Sequence, residues 1–209
     1  MAEIIPGILE KDWASIEKKL EQILPFAKTV QIDIIDGKFA SNSTLLDLTP
    51  LKKYADKIFF EAHLMVEEPI GYIEKLASFG FKRFIGHVEK MSSQQDFLNI
   101  GKRFGEVGLA IDAFTTLDEI KVDINFPDCF LVMSVKTGFS GQPFLKEVLG
   151  KIKELKEKTA QPIEVDGGIN GQIIPLLKAL GVARYVVTSD LFKSEDVEQE
   201  YQRLTSLIA

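Results

Sequence analysis

The feature that most limits what this chain can fold into is its rhythm. Short apolar runs alternate, from one end to the other, with stretches whose apolar residues recur every three or four positions. "EIIPGIL" is followed by Trp13, Ile16, Leu20 and Ile23, and "TVQIDII" by a less regular helical segment from Leu45 to Tyr54. "KIFFEAHLM" precedes Pro69, Ile70, Ile73 and Leu76, and "RFIGHV" precedes Phe97, Ile100 and Phe104. "GLAI" leads to a short helix near Thr116 to Ile124, and "CFLVMSV" to Leu145, Val148, Leu149, Ile152 and Leu155. "PIEV" with Ile173, Ile174, Leu177 and Leu180, then "RYVVT" with Val197, Tyr201, Leu204 and Ile208, complete the series. Short apolar runs read as buried strands and the three-and-four spacing reads as helices. Strand-then-helix alternation implies parallel strands joined by crossover helices. Eight such units in 209 residues predict a compact (β/α)8 TIM barrel forming one domain over residues 1–209. A doubly wound open sheet is the alternative.

Composition narrows the partners. The net charge is −6 and the lysines and arginines are dispersed among the acids, so the basic patch of a nucleic-acid binder is missing. A small phosphorylated ligand stays within reach, because backbone N–H groups hold phosphate without net positive charge. "MAEIIPGILEKDW" lacks the basic start and apolar core of a secretory signal, and no apolar run approaches the ~18 residues of a membrane span. The expectation is a soluble, cytoplasmic protein with neither nucleic-acid nor membrane partners. Cys129, the lone cysteine, cannot form an internal disulfide, and "CFLVM" predicts a buried thiol on a strand.

Polar residues gather at one end of the runs. Gly7, Asp33, His63, His87, Asp112, Ser134, Asp166 and Thr188 stand at or just past the C-terminal ends of successive strands. In a barrel they would share the rim that carries the site. A carboxylate such as Asp33 at the end of "VQIDIIDG" is costly unless hydrogen-bonded, paired or bound to a cation. His87 also has a plain reading as a core histidine, and Asp112 as a helix cap. "TGFSGQPF", "DGGIN" and "VTSDLF" follow the sixth, seventh and eighth strands. Glycines there let backbone approach a ligand closely, and a phosphate site after the last two strands is a recurring barrel feature.

The ordered set "DIIDGKF", "EAHLMVEEP", "MSVKTGFSGQPF", "EVDGGIN" and "TSDLF" resembles the ribulose-phosphate 3-epimerase family, from "IIPGIL" to at least Phe192. The resemblance implies a (β/α)8 barrel interconverting ribulose 5-phosphate and xylulose 5-phosphate by two-base proton transfer through an enediolate. It implies catalytic roles for Asp33 and Asp166. It also implies a divalent metal ion (zinc, manganese, magnesium or iron) at Asp33, His63 and Asp166, with Gln31 at the fourth position. Substrate contacts fall on Gly7, His63, Met65, Gly138, Phe139, Ser140 and Gly141. Phosphate contacts fall on Gly141, Gly167, Gly168, Thr188 and Ser189. The implied partners are a small-molecule sugar phosphate and, by inheritance from relatives, further copies of the chain in a homo-oligomer.

The chain departs from the family around this site. Gln31 stands where the family has a histidine, and an amide oxygen is a harder donor that suits magnesium or manganese better than zinc. A weaker site, a different metal or none are open. Gly7 replaces a serine. Lys136 and Thr137 stand where the family has Asn and Pro, and Ser140 where it has glycine; "IDAFTT" replaces an "INPxTP"-like stretch. Loss of the proline is expected to loosen the loop, and Lys136 is a candidate cation to supplement missing metal charge. Two other readings follow: a phosphosugar-binding, epimerase-like barrel with weak or lost activity, and a ketohexose 6-phosphate 3-epimerase. A relative of orotidine-phosphate decarboxylase is disfavoured, because "DIIDG" has isoleucine at the lysine position of the Asp-x-Lys-x-x-Asp motif.

Overall fold

The computed structural model describes residues 2–209. Its strands form one closed parallel barrel in sequence order, with the last strand pairing with the first. They are β1 (Glu3–Ile8), β2 (Thr29–Ile35), β3 (Phe59–Met65), β4 (Phe81–His87), β5 (Glu106–Ile111), β6 (Cys129–Met133), β7 (Ile163–Asp166) and β8 (Arg184–Val187). Closure satisfies every strand edge and excludes the open-sheet alternative.

The outer ring is uneven. Helices α1 (Trp13–Ile23), α2 (Ile73–Ala77), α3 (Gln94–Gly101), α4 (Val148–Lys158), α5 (Ile174–Ala179), α6 (Ser189–Phe192) and α7 (Val197–Ile208) cover most of it. Two connections differ from the sequence expectation: Leu45 to Tyr54 yields only a 3-10 turn over Thr49–Tyr54, and Thr116 to Ile124 only Leu117–Glu119. Neither carries a sustained apolar stripe, and tertiary packing of such a stripe is what stabilises most helices. Pro69 opens a 3-10 turn, Pro69–Tyr72, that runs into α2. Phe104 lies past the end of α3 and is partly exposed. Asp12, Ser93 and Asp196 cap α1, α3 and α7 by accepting from backbone N–H groups three residues on, the expected chemistry for these side chains.

Two apolar layers result. The larger lies between strands and helices and includes Ile16, Leu20, Phe60, Phe84, Phe97, Ile152, Leu177 and Leu204. The smaller fills part of the barrel and includes Ile85, Ala110, Cys129, Leu131 and Met133. Cys129 is fully buried, as "CFLVM" indicates, and burial pushes its thiol up to about 12. Strand alternation gives β3 three inward positions, Glu61, His63 and Met65. Glu61 pairs with Arg83, whose Nε also donates to Glu106 at 2.7 Å, and Arg184 lies 3.8 Å from the buried Glu164. The barrel therefore has a charged layer toward its N-terminal end and a separate polar cluster toward the other.

Candidate active site

That second cluster is assembled by strand register. Gly7 pairs with Gln31, Asp33 with His63, and Met133 with Asp166. Parallel pairing at matched depth brings side chains from β2, β3 and β7 to one level, though Asp33 and Asp166 lie far apart in sequence. Gln31 Nε2 donates to Asp33 Oδ1 and to Asp166 Oδ2, both at 2.8 Å. His63 Nδ1 is 2.9 Å from the same Asp33 oxygen and 3.4 Å from Asp166 Oδ2.

A buried chain runs outward from this point. His63 Nε2 is 3.0 Å from His87 Nε2, and His87 Nδ1 is 3.1 Å from Glu89 Oε2. One arrangement of protons is consistent along the whole chain. Glu89 is held down to about 2, where burial raises it but hydrogen bonding to His87 and to the Asp112 N–H prevails. It is therefore an acceptor and His87 Nδ1 carries hydrogen. Burial lowers the His87 pKa; a neutral His87 ring with hydrogen on Nδ1 accepts at Nε2, and His63 Nε2 then donates. This orients the His63 ring and turns Nδ1 toward the two aspartates. Burial opposes charge on His63, yet hydrogen bonds to Asp166 and Asp33 push it up to about 10. Asp33 is raised to about 6, chiefly by burial and further by the Asp166 charge, against the lowering effect of His63.

One ligand atom each from Asp33, His63 and Asp166 lies within 4.8 Å of the others, a spacing that suits a small cation. Gln31 is the test of fit. Its Oε1 is buried without a partner while Nε2 holds both carboxylates. Exchanging the two ends of the amide would turn Oε1 toward the cation and leave Nε2 in the unpartnered position. The donor set accommodates a metal, but one amide atom is stranded in either orientation.

Above the cluster opens a pocket lined by Asp33, Met65, Asp166 and the glycine-rich loops, with Gly138, Phe139, Ser140, Gly141, Gly167, Gly168, Thr188 and Ser189 all on its wall. His63 and Gln31 lie beneath it, fully buried, and Gly7 is buried beside Thr188. Gly167 (φ 117°) is obligatory: a Cβ there would sit 2.5 Å from Val135. Ser140 is not among the positive-φ residues, so the loop accepts a non-glycine residue there without strain.

Several side chains at the site were not singled out by the sequence reading. Gln142 Nε2 donates to the carbonyls of Lys136 and Phe139, and Asn42 Nδ2 to that of Gly138. Together they brace the loop in which Thr137 stands where the family has a proline. Ser134, by contrast already among the strand-end residues of the sequence, shares its single hydroxyl hydrogen between the carbonyls of Asp166 and Gly167, at 2.9 and 2.6 Å, anchoring the backbone that carries one carboxylate. Lys193 Nζ is 3.9 Å from where a Cβ on Gly141 would stand. Gln142 is inside a quoted motif, but no sequence signal marks Asn42 or Lys193. Lys136 is exposed and borders a neighbouring groove with Glu89, Asp112 and Phe114 rather than the pocket of the two aspartates. It is therefore not positioned to supplement charge between them. Asp112 accepts from the Phe114 N–H at 3.1 Å and from the Thr137 hydroxyl; it closes a local turn and does not cap the following 3-10 helix, whose N-cap is Thr116.

A model of the ribulose-phosphate 3 epimerase family matches residues 3–192. The chain is 31% identical to the ribulose-phosphate 3-epimerase of Aquifex aeolicus, with all of this chain and 97% of the relative covered. It is 34% identical to that of Chlamydia pneumoniae, over 93% of this chain and 90% of the relative. Among solved structures, KGPDC from Streptococcus mutans superposes with a TM-score of 0.77 at 9% identity, over 99% and 97% of the two chains. That likeness speaks for the barrel alone. No helix among the described residues is long and apolar enough to cross a membrane.

Proposed function

This chain belongs to the ribulose-phosphate 3-epimerase family, and from that premise we propose that it interconverts ribulose 5-phosphate and xylulose 5-phosphate, with Asp33 and Asp166 as the two proton-transfer groups. The observation that carries the reading is the meeting of these carboxylates in one hydrogen-bonded cluster beneath the glycine-lined pocket. Inverting a carbon beside a ketone requires removal of its proton on one face and return on the other, hence two acid/base groups on opposite sides of the sugar. Asp33, raised to about 6 by burial, is matched to accepting a proton near neutral pH. Ser134 holds the Asp166 backbone in place, while Met65, Met133 and Val135 wall off solvent beside the reacting carbon. Gly141, Gly167, Gly168, Thr188 and Ser189 offer the phosphate end of the pocket, with the Lys193 ammonium close by.

The family is metal-dependent, and the buried Asp33, His63 and Asp166 group could hold a cation. When bound, such an ion acts as a Lewis acid on the ketone. We assign Gln31 Oε1 as its fourth protein ligand, and an oxygen-rich set favours magnesium or manganese over zinc.

The test is exchange of the C3 proton of ribulose 5-phosphate in heavy water. Wild-type protein is expected to exchange and epimerise. Asp33→Asn and Asp166→Asn should each lose roughly 10²–10⁴-fold in rate. Binding of the sugar phosphate without exchange would overturn the assignment.

A further inference from the structure

Gly7 and Thr188 meet across the seam where β1 pairs with β8, at the depth of the pocket floor. A Cβ built on Gly7 would stand 2.4 Å from Thr188 Oγ1 and 2.9 Å from Val186 Cγ1. Real side chains do not tolerate such contacts, so the threonine hydroxyl occupies the space that any side chain at position 7 would need. Gly7 is not in the left-handed region. Its lack of a side chain therefore answers to packing and not to backbone conformation.

The orientation of Thr188 is equally informative. It stands at the N-cap of α6, where a threonine hydroxyl ordinarily accepts from a backbone N–H of the first turn. Here the side chain makes no capping hydrogen bond. The hydroxyl is instead turned over Gly7, and the residue lines the pocket that holds Asp33 and Asp166. A hydroxyl is both donor and acceptor, which suits it to an oxygen of a polyhydroxy ligand.

Resting on the epimerase reading, we propose that the Thr188 side chain binds an oxygen of the sugar between the phosphate grip and the two aspartates, and that Gly7 is small to admit it. Thr188 is then a specificity-determining residue. Its backbone belongs with the phosphate end of the pocket, whereas its hydroxyl reads the sugar.

The experiment compares dissociation constants for ribulose 5-phosphate and inorganic phosphate in wild type, Thr188→Val, Thr188→Ser and Gly7→Ala. Losing one hydrogen bond should weaken ribulose 5-phosphate binding by Thr188→Val roughly tenfold, with inorganic phosphate unchanged. Thr188→Ser retains the hydroxyl and should stay near wild type. Gly7→Ala adds no polar group, yet should follow Thr188→Val because its methyl displaces the hydroxyl. Equal weakening of both ligands by Thr188→Val would put the hydroxyl on the phosphate and overturn the inference. An unchanged affinity for ribulose 5-phosphate would do the same, as would a wild type that binds it no tighter than inorganic phosphate. C3-proton exchange on the same samples separates the two claims. Tight binding without exchange refutes the reaction assigned above, but leaves the Thr188→Val ratio readable.

Discussion

Replacing Gln31 by leucine probes the centre of the site. Gln31 is fully buried, its Nε2 holds Asp33 and Asp166 at 2.8 Å each, and its Oε1 has no partner. Leucine has similar bulk and removes both ends of the amide. Hydrogen bonds to charged groups contribute about 1.5–3 kcal/mol apiece, so the two lost here amount to about 3–6 kcal/mol. Eliminating the stranded carbonyl offsets about 1–3 kcal/mol of that. The net destabilisation is therefore centred on about 2.5 kcal/mol, which for a chain of this size lowers Tm by about 5–10 °C. Thermal and urea unfolding at pH 7 with chelator present measure it in the metal-free protein. A Gln31→Leu variant as stable as wild type would show that the amide does not bridge the aspartates. The companion substitution, Gln31→His, places a nitrogen donor in the same position and is expected to raise bound zinc, read as metal content after dialysis. Unchanged metal content would place Gln31 outside the ligand set.

Two other perturbations test the electrostatics. His63 is held up to about 10 against an ordinary value of 6.5. Its contribution to stability is fully present below 6.5 and is lost as pH rises to about 10, at up to about 1.4 kcal/mol per pH unit. Asp33, raised to about 6 from 3.8, has the same sign over its own lower window. The metal-free protein should thus lose stability from pH 6.5 to 10 in urea titrations and His63→Asn should flatten the slope; a wild type that gains stability over this range refutes the assignment. At the other end of the barrel, Arg83→Met should destabilise by about 3–5 kcal/mol, because Glu61 is left as an uncompensated buried charge beside Glu164. Equilibrium unfolding that finds a loss under about 1 kcal/mol would mean that the layer tolerates removal of one cation.

The barrel was legible because each strand and most helices carry their own local pattern. Leu145 to Leu155 and Val197 to Ile208 show the helical period, and α4 and α7 form there, with Leu145 just ahead of α4. The connections after β2 and β5 lack a sustained stripe and form only 3-10 turns. The pocket wall was equally legible, since Met65, Gly138, Gly141, Gly167, Gly168, Thr188 and Ser189 lie in motifs at strand ends. The hydrogen-bonded line from His63 through His87 to Glu89 was not, because His87 in "GHVE" reads equally well as an ordinary core histidine. Asn42 and Gln142 were also beyond reach: their function is to brace a loop, and sequence marks neither the loop's path nor its neighbours.

By itself, the order of residues determined alternating parallel β/α units, with a barrel as the expected closure, and the strand ends on which chemistry sits. Strand period and helical period are local properties that fix parallel β/α units, whereas closure, which excludes an open doubly wound sheet, is seen only where β8 pairs with β1. The tertiary structure decided what the substituted positions mean. Whether the Gln31 amide reaches both Asp33 and Asp166, whether Lys136 reaches the pocket, and whether Thr188 fills the space above Gly7 all depend on distances between strands remote in the chain. Those distances are set by register and packing, which no single segment encodes.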